Sequence, residues 1–179
     1  MHIYVARHGQ TEWNAQNKVC GRTDIPLTET GLRQAQLLAE NSADKKIDVI
    51  IASTMLRARQ TAQAVADRFG LEVLTDERLI EQNFGDYEGV DRKDPRFLAH
   101  KRKFAFKYPG GGESMMQVAQ RVYNLLDEVQ EKYSGKNVLL VCHGGVCRII
   151  RTYFEDLENE TFSTYSADNA TLTEYIVGE

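Results

Sequence analysis

The chain has 179 residues, of which 42% are apolar and 27% charged, and its net charge at pH 7 is −4. A chain of this length buries roughly 70% of the surface that it exposes when unfolded, so we expect a single domain over 1–179. It contains no apolar run typical of a secretion signal or a membrane span, which favours the cytoplasm and excludes a membrane as partner. The negative net charge does not favour nucleic acid as a partner either.

The first predicted strand is 3–6, a short apolar run that ends in Arg7-His8-Gly9. After a loop, apolar residues at helical spacing predict a helix over 28–42, with Thr28 as its N-cap. The apolar positions of this helix are Leu32, Ala35, Leu38 and Ala39. The run 47–52 then predicts a second core strand.

A second helix is predicted over 57–69, where the apolar residues share one face. The run 71–74 predicts a third strand, and 86–112 is rich in loop-forming residues. The capping-box pattern 114–117 predicts the start of a third helix, whose apolar face continues to Val129.

The most apolar run of the chain is 138–142, and it ends in His143-Gly144-Gly145 much as the first strand ends in His8-Gly9. We expect these two strand ends to lie side by side. A helix with apolar residues at 146, 149, 150 and 153 follows, and 171–177 predicts the last strand. The alternation of strands and helices indicates a three-layer α/β/α sandwich with a mostly parallel central sheet, which binds ligands at the carboxyl ends of its strands.

The segment 91–108 is strongly basic, with seven Lys or Arg against two Asp, and therefore carries +5 in an acidic chain. Two interpretations stay open for it. One is a solvated helix face, and the other is a lid that attracts an anionic substrate. We expect such a lid or insertion at about 86–113.

The three cysteines, Cys20, Cys142 and Cys147, do not follow a disulfide framework, so we expect free thiols. Cys142, His143 and Cys147 lie close enough in sequence to suggest part of a zinc site. Zinc takes three or four protein ligands, however, and no partner cluster is visible. The sequence therefore predicts no metal and no other cofactor.

Four motifs resemble the histidine phosphatase superfamily, which includes cofactor-dependent phosphoglycerate mutases and fructose-2,6-bisphosphatase. In the family's order, they are 7–14, 53–62, 79–89 and 141–148. The stretches 21–31 and 109–114 are also similar, the latter with one glycine more than the family pattern. The resemblance spans nearly the whole chain, and it implies metal-independent phosphoryl transfer on the α/β fold described above.

The residue types in these motifs suit that chemistry. A phosphoryl group in transfer spreads negative charge over three oxygens, which Arg7 and Arg57 can bind through forks of donors and His143 through a ring donor. A neutral imidazole is a good nucleophile, so His8 is the candidate to form a phosphohistidine. The resemblance implies that Glu81 is the acid and base that serves the leaving group and water.

A second set of residues is expected to bind substrate. These are Thr11, Asn14, Cys20, Gly21 and Gly144. Taken alone, Arg57 would be a solvated residue in a first helical turn, Glu81 a surface carboxylate, and each histidine a core residue. Their joint occurrence at spacings that fit one constellation favours the functional interpretation. Trp13 and Phe84 either line the pocket or pack against neighbouring side chains without contacting the ligand.

Three functions are compatible with these residues. The leading hypothesis is a phosphomonoesterase that acts on a small phosphorylated metabolite. The alternative is a phosphoglycerate mutase, but only 61 residues separate Glu81 from His143, fewer than mutases of the family usually carry. The third is a catalytically inactive module that binds a phosphorylated ligand or serves as a scaffold. The complete set of candidate catalytic residues argues against it.

Overall fold

The computed structural model describes residues 1–178 and contains one five-stranded sheet. The strands are β1 (His2–Arg7), β2 (Val49–Ala52), β3 (Val73–Thr75), β4 (Val138–Cys142) and β5 (Leu172–Ile176). They lie in the order β3-β2-β4-β1-β5. All neighbours are parallel except β5, which pairs antiparallel with β1. The mostly parallel sheet predicted from the sequence is confirmed.

Seven helices surround the sheet in the described part of the chain. They are α1 (Glu12–Ala15), α2 (Glu29–Asn41), α3 (Leu56–Phe69), α4 (Pro95–Lys101), α5 (Met115–Lys132), α6 (Gly144–Phe154) and α7 (Asn159–Thr164). Short 3₁₀ turns lie at Glu77–Leu79 and Gly85–Tyr87. The sequence predicted the four long helices but not α1, α4 and α7, which have only four to seven residues and show too few turns for periodicity.

Local signals in the sequence explain where the long helices begin and end. The Thr28 side chain accepts a hydrogen bond from the Gly31 amide at the start of α2. Gly70 ends α3 with a φ of 65°, a left-handed conformation that glycine adopts without strain. Ser114 and Gln117 form the predicted capping box of α5. The spacing placed Leu32 on the apolar face of α2, and this was wrong. Leu32 is 44% exposed, because it lies beside the buried stripe of the helix.

The core has two apolar clusters, one on each face of the sheet. Because side chains alternate along a strand, Ile3 and Val5 of β1 pack with α5 and α6, whereas Tyr4 and Ala6 pack with α2 and α3. All five residues of β4 are buried, as expected for a central strand covered on both faces. The three-layer arrangement follows from these two faces.

The register of β1 against β4 determines where the site lies. Arg7 pairs with Cys142 at the end of both strands, and the His8 amide donates to the Cys142 carbonyl at 2.9 Å. His8 and His143 therefore leave the sheet together at its carboxyl edge, as the sequence predicts.

The basic segment folds over this edge. Within it, α4 carries Phe97, which packs in a small apolar cluster with Val19 and Tyr108 and holds the helix near the carboxyl edge of the sheet. Its function as a lid remains a prediction. No helix within residues 1–178 has both the length and the apolar character to span a membrane.

Candidate active site

A pocket opens where β1 and β4 end. Of the candidate residues, the ones that line it are Arg7, His8, Asn14, Cys20, Glu81 and Gly144. Arg57 and His143 lie directly behind this wall and are fully buried. The structure thus brings the five candidate catalytic residues to one edge of the sheet.

A hydrogen bond to a backbone carbonyl holds the ring of His8 in one tautomer. Its Nδ1 lies 2.6 Å from the Gly9 carbonyl oxygen, and because a carbonyl only accepts, Nδ1 carries the proton. The lone pair is therefore on Nε2. Burial, together with the charges of Arg57 and Arg7, lowers the pKa of His8 well below its usual value, so the ring is neutral.

His143 lies beside His8, with the two ring centroids 5.1 Å apart. Its Nε2 is 2.8 Å from the Ser53 hydroxyl, which also accepts a hydrogen bond from the Met55 amide. We assign the Ser53 hydroxyl as the donor to Nε2, an assignment that leaves the ring proton on Nδ1. Burial, followed by the charge of Arg57, lowers the pKa of His143 well below its usual value. His143 is thus a neutral ring with a donor at Nδ1.

Backbone carbonyls orient the two arginines. Arg57 donates from Nη1 to the Thr23 carbonyl at 2.9 Å and from Nη2 to the Gly21 carbonyl at 2.8 Å. Arg7 donates from Nη1 to the Ala167 carbonyl at 2.6 Å. The hydrogen-bond acceptors of both guanidinium groups are neutral carbonyls, and Arg57 also forms a long ion pair, 3.9 Å from Nη1 to Oδ1 of the partly exposed Asp24.

Several buried donors around His8 lack a hydrogen-bond partner within residues 1–178. They are Arg7 Nε, Asn14 Nδ2, Arg57 Nε and His143 Nδ1. An unsatisfied buried donor costs about 1–3 kcal/mol, so four of them in one site call for an acceptor. A tetrahedral anion with several oxygens fits this donor set better than a neutral ligand does.

Glu81 lies across the pocket with its carboxylate held at both oxygens. Oε1 accepts from the Gln82 amide at 2.8 Å, and Oε2 accepts from the Gly145 amide at 3.0 Å. Each carboxylate oxygen has a second lone pair that these bonds leave free. A side chain added at Gly145 would meet Oε1 at 2.5 Å, so only glycine lets Glu81 lie in this position.

The other acidic residues near the site do not line the pocket. Glu88 accepts hydrogen bonds from the amides of Gly21, Arg22 and Thr23, and Glu12 is exposed. Glu81 is the only acidic residue on the pocket wall within residues 1–178.

Glu113 is also fully engaged, by Arg121, the Asn83 amide and Arg22. Burial favours its neutral form, but the hydrogen bond from Arg121 and those from Asn83 and Arg22 outweigh burial and hold the pKa of Glu113 below its usual value. Glu113 is therefore an anion that holds the loops around the site together.

Two predicted substrate-binding residues do not reach the pocket wall. Thr11 is fully buried, and its hydroxyl accepts from the Asn14 amide as the N-cap of α1. Gly21 uses its amide on Glu88 and its carbonyl on Arg57. In both cases the polar groups that would bind substrate already hold the site's own loops. Their contribution is to orient Asn14 and Arg57.

Sequence reasoning missed several residues that support the site. Thr61 of α3 accepts from the Gly9 amide at 3.0 Å, and Asn169 donates to the His8 carbonyl at 2.7 Å. Thr61 lies inside a family-like motif, so the sequence carried a signal for it. Asn169 lies far along the chain in a segment without periodicity, and no such signal exists. The pocket wall also includes Lys101, which was predicted only as part of the basic segment, and Arg148, for which no role was predicted.

The cysteines are free thiols, as predicted. Cys142 and Cys147 lie with their sulfur atoms 3.5 Å apart in the core, and burial raises the pKa of Cys142 well above its usual value. Within residues 1–178, no group of three or more His, Cys, Asp or Glu side chains is placed to hold a metal ion.

A parallel α/β sheet with two histidines and two arginines at its carboxyl edge defines a class of anion-binding site, and comparison with known proteins gives the family. The model of the histidine phosphatase superfamily (branch 1) matches residues 3–179. Phosphoglycerate mutase-like protein 4 of Arabidopsis thaliana is 38% identical over 155 residues, which are 82% of this chain and 67% of that protein. The chain belongs to the histidine phosphatase superfamily.

Further relatives carry two kinds of name. Probable phosphoglycerate mutase GpmB of Yersinia pestis (strain Pestoides F) is 38% identical over 150 residues, which are 80% of this chain and 70% of that protein. Mycobacterial glucosyl-3-phosphoglycerate phosphatase superposes with a TM-score of 0.85 at 30% identity, over 97% of this chain and 90% of that one. Alpha-ribazole phosphatase from Shigella flexneri superposes with a TM-score of 0.86 at 26% identity, over 100% of this chain and 92% of that one. The family and these neighbours indicate a phosphatase or a mutase.

Proposed function

We propose that the protein is a metal-independent phosphomonoesterase that hydrolyses a small phosphorylated metabolite through a phosphohistidine on His8. The observation that supports it best is the state of His8. Its Nδ1 proton is engaged by Gly9, its pKa is lowered by burial and two arginines, and its Nε2 lone pair is free for attack. These are the properties of a nucleophile that is active at neutral pH.

In the first step, His8 Nε2 attacks phosphorus and the P–O bond to the alcohol breaks. Arg7, Arg57 and the Nδ1–H of His143 supply the unpartnered donors for the phosphoryl oxygens. Glu81, in its protonated form, gives its proton to the departing alkoxide, which leaves as the alcohol. The phosphoryl group is then bonded to Nε2, and Glu81 is a carboxylate.

In the second step, a water molecule takes the place of the alcohol. The Glu81 carboxylate accepts a proton from this water while the oxygen attacks phosphorus, and the P–N bond breaks. The products are inorganic phosphate, neutral His8 and protonated Glu81, so the site returns to its starting state. The positive charge that stabilises both transition states comes from side chains, which is why we propose that no metal is needed.

The names of the relatives favour one second candidate, a phosphoglycerate mutase. A mutase would return the phosphoryl group from His8 to another hydroxyl of the substrate instead of to water. The two functions differ in product: 3-phosphoglycerate would give inorganic phosphate in one case and 2-phosphoglycerate in the other. The short connection between Glu81 and His143 supports hydrolysis.

A screen of phosphorylated metabolites in the presence of EDTA tests the proposal. We expect release of inorganic phosphate from at least one small ester, with activity unchanged when divalent metal is added. Interconversion of phosphoglycerates without phosphate release would support the mutase instead. Activity that appears only with added metal would contradict the proposed mechanism.

A further inference from the structure

The half-buried carboxylate of Glu88 is surrounded by donors from one short loop, 21–23. Its Oε1 accepts from the Arg22 amide at 2.9 Å, and its Oε2 accepts from the Gly21 amide at 3.1 Å. Thr23 adds two donors to Oε2, its amide at 3.4 Å and its hydroxyl at 2.9 Å. Within residues 1–178, all four donors to this carboxylate are therefore uncharged groups of a single loop.

The same loop holds the guanidinium group of Arg57 from its other side. Arg57 donates to the Thr23 carbonyl at 2.9 Å and to the Gly21 carbonyl at 2.8 Å. The peptide group between Gly21 and Arg22 thus accepts from Arg57 through its C=O and donates to Glu88 through its N–H. Its dipole is aligned between a cation and an anion, so each of the two hydrogen bonds strengthens the other.

The loop is the main support that Arg57 has. The side chain of Arg57 is fully buried, and its one ion pair within residues 1–178 is long, since Nη1 lies 3.9 Å from Oδ1 of Asp24. Asp24 is 47% exposed, and Oδ1 already accepts from the Leu56 amide at 2.9 Å. The two loop carbonyls therefore set the plane of the guanidinium group, whose Nε is left without a partner in the described chain.

The contact between Glu88 and the loop is built into the packing around it. A side chain added at Gly21 would collide with Oε1 of Glu88, so only glycine lets the carboxylate come this close. The Gly89 amide donates to the Val19 carbonyl at 2.9 Å, which joins the residue after Glu88 to the chain just before the loop. Glu88 is thus fixed against the loop through both its side chain and its backbone neighbour.

We propose that Glu88 is a positioning residue, which holds the loop 21–23 and, through the loop carbonyls, orients Arg57 towards the phosphoryl oxygens. This inference rests on the proposed phosphoryl transfer through His8. A carboxylate suits the role because it only accepts hydrogen bonds, whereas an amide side chain would direct N–H groups at the loop's own donors. Glu88 does not line the pocket, so it acts without touching the substrate.

Glu88→Gln tests this role in the reaction, because it keeps the size of the side chain and replaces one acceptor oxygen with a donor. We expect kcat with p-nitrophenyl phosphate to fall on the order of 10²-fold with little change in KM, since a displaced Arg57 weakens binding of the transition state most. In the Arg57→Ala background the same change should cost nothing further, because both act through one guanidinium group.

Asp91→Asn is the matched control. It also converts a carboxylate to an amide in the same segment, but Asp91 accepts from the Lys93 amide and the Asn17 side chain and does not contact the loop 21–23. This variant should keep the kcat of wild type.

NMR spectra of the arginine side chains separate this inference from the proposed function, because they need no substrate. Nη groups bonded to fixed carbonyls rotate slowly, so Arg57 should give resolved Nη signals in wild type, assigned by their loss in Arg57→Lys. Glu88→Gln should shift these signals or merge them through faster rotation. Thr23→Val removes only one of the four donors, so it should have a smaller effect of the same kind, and it serves as the test if Glu88→Gln does not fold.

Altered Arg57 signals in these two variants, with unaltered signals in Asp91→Asn, support the inference even if the wild type hydrolyses no ester. Unchanged Arg57 signals in every Glu88 or Thr23 variant that folds overturn it even if the protein is an active phosphatase. Additive losses of kcat in the double variant of Glu88 and Arg57 overturn it as well.

Discussion

His8 and Glu81 are each held by backbone groups, which fix the orientation of the nucleophile and of the carboxyl group in one pocket. A carbonyl acceptor at Gly9 fixes the proton of His8 on Nδ1, and amide donors at Gln82 and Gly145 fix the carboxylate of Glu81. Backbone groups do not titrate, so neither orientation depends on pH in the physiological range. The site is prepared before substrate arrives.

The lowered pKa of both buried histidines leads to a prediction for pH. We expect the ring signals of His8 and His143 in NMR spectra to stay those of neutral imidazole well below pH 6.5, the usual histidine pKa. The unfolded chain binds these protons near pH 6.5 and the folded chain does not, so stability falls as pH decreases from 6.5 towards the lowered pKa. Titration of either ring with a midpoint near 6.5 would contradict the electrostatics described here.

The contact between Gly145 and Glu81 leads to a second prediction. Gly145→Ala places a methyl group against Oε1, and the flexible end of Glu81 can move away at little cost in stability. We expect a melting temperature close to that of wild type but a kcat with alkyl phosphates lower by about 10²-fold, since a misplaced acid no longer reaches the leaving oxygen.

Glu81→Gln serves as the reference for this variant. Its loss should be as large, and the double variant should lose no more than Glu81→Gln alone, because both changes act through one carboxylate. Independent, additive losses would show that Gly145 matters for another reason.

At the scale of elements, the sequence predicted the long helices and all five strands, since their periodicity is local. The contacts that complete the site are between distant segments. Asn169 reaches His8, Ser53 reaches His143, and α4 brings Lys101 to Arg148. No local pattern reports such contacts, and α4 itself has too few turns to be recognised. Thr11 is a different case: its hydroxyl is used locally as the N-cap of α1, and its role in binding substrate stays a prediction.

The basic segment that contains α4 allows a prediction about ionic strength. Arg102, Lys103 and Lys107 are exposed near the pocket, so changing all three to Glu should lower kcat/KM for an anionic ester more at low salt than at high salt. The matched control changes Lys46, Arg68 and Lys136 to Glu. These residues are exposed near the amino ends of the strands, away from the site.

The control should leave kcat/KM almost unchanged at either salt concentration. A loss in the first variant that does not depend on salt, or equal losses in both variants, would favour a solvated helix face over an electrostatic lid. Lys101 is left intact in this experiment because it lines the pocket itself.

At the scale of the whole molecule, a single sheet edge collects residues from both ends of the chain. β1 and β4 lie side by side at the centre of the sheet, so His8 and His143 meet although 134 residues separate them. The matching pattern of the two strands, each apolar and followed by a histidine and a glycine, was enough to predict this meeting. The substrate was not predictable, because it depends on pocket side chains around α4 whose arrangement only the folded chain reveals.

The central claim is that the phosphoryl group passes through His8, and trapping of the intermediate in Glu81→Gln tests it most directly. With p-nitrophenyl phosphate, whose leaving group needs no proton, the first step should proceed while the second lacks its base. We predict a burst of nitrophenolate followed by slow turnover, with an acid-labile phosphoryl label on the protein that His8→Ala does not acquire. No burst and no label in Glu81→Gln, or a label of equal size in the variant without His8, would contradict the account.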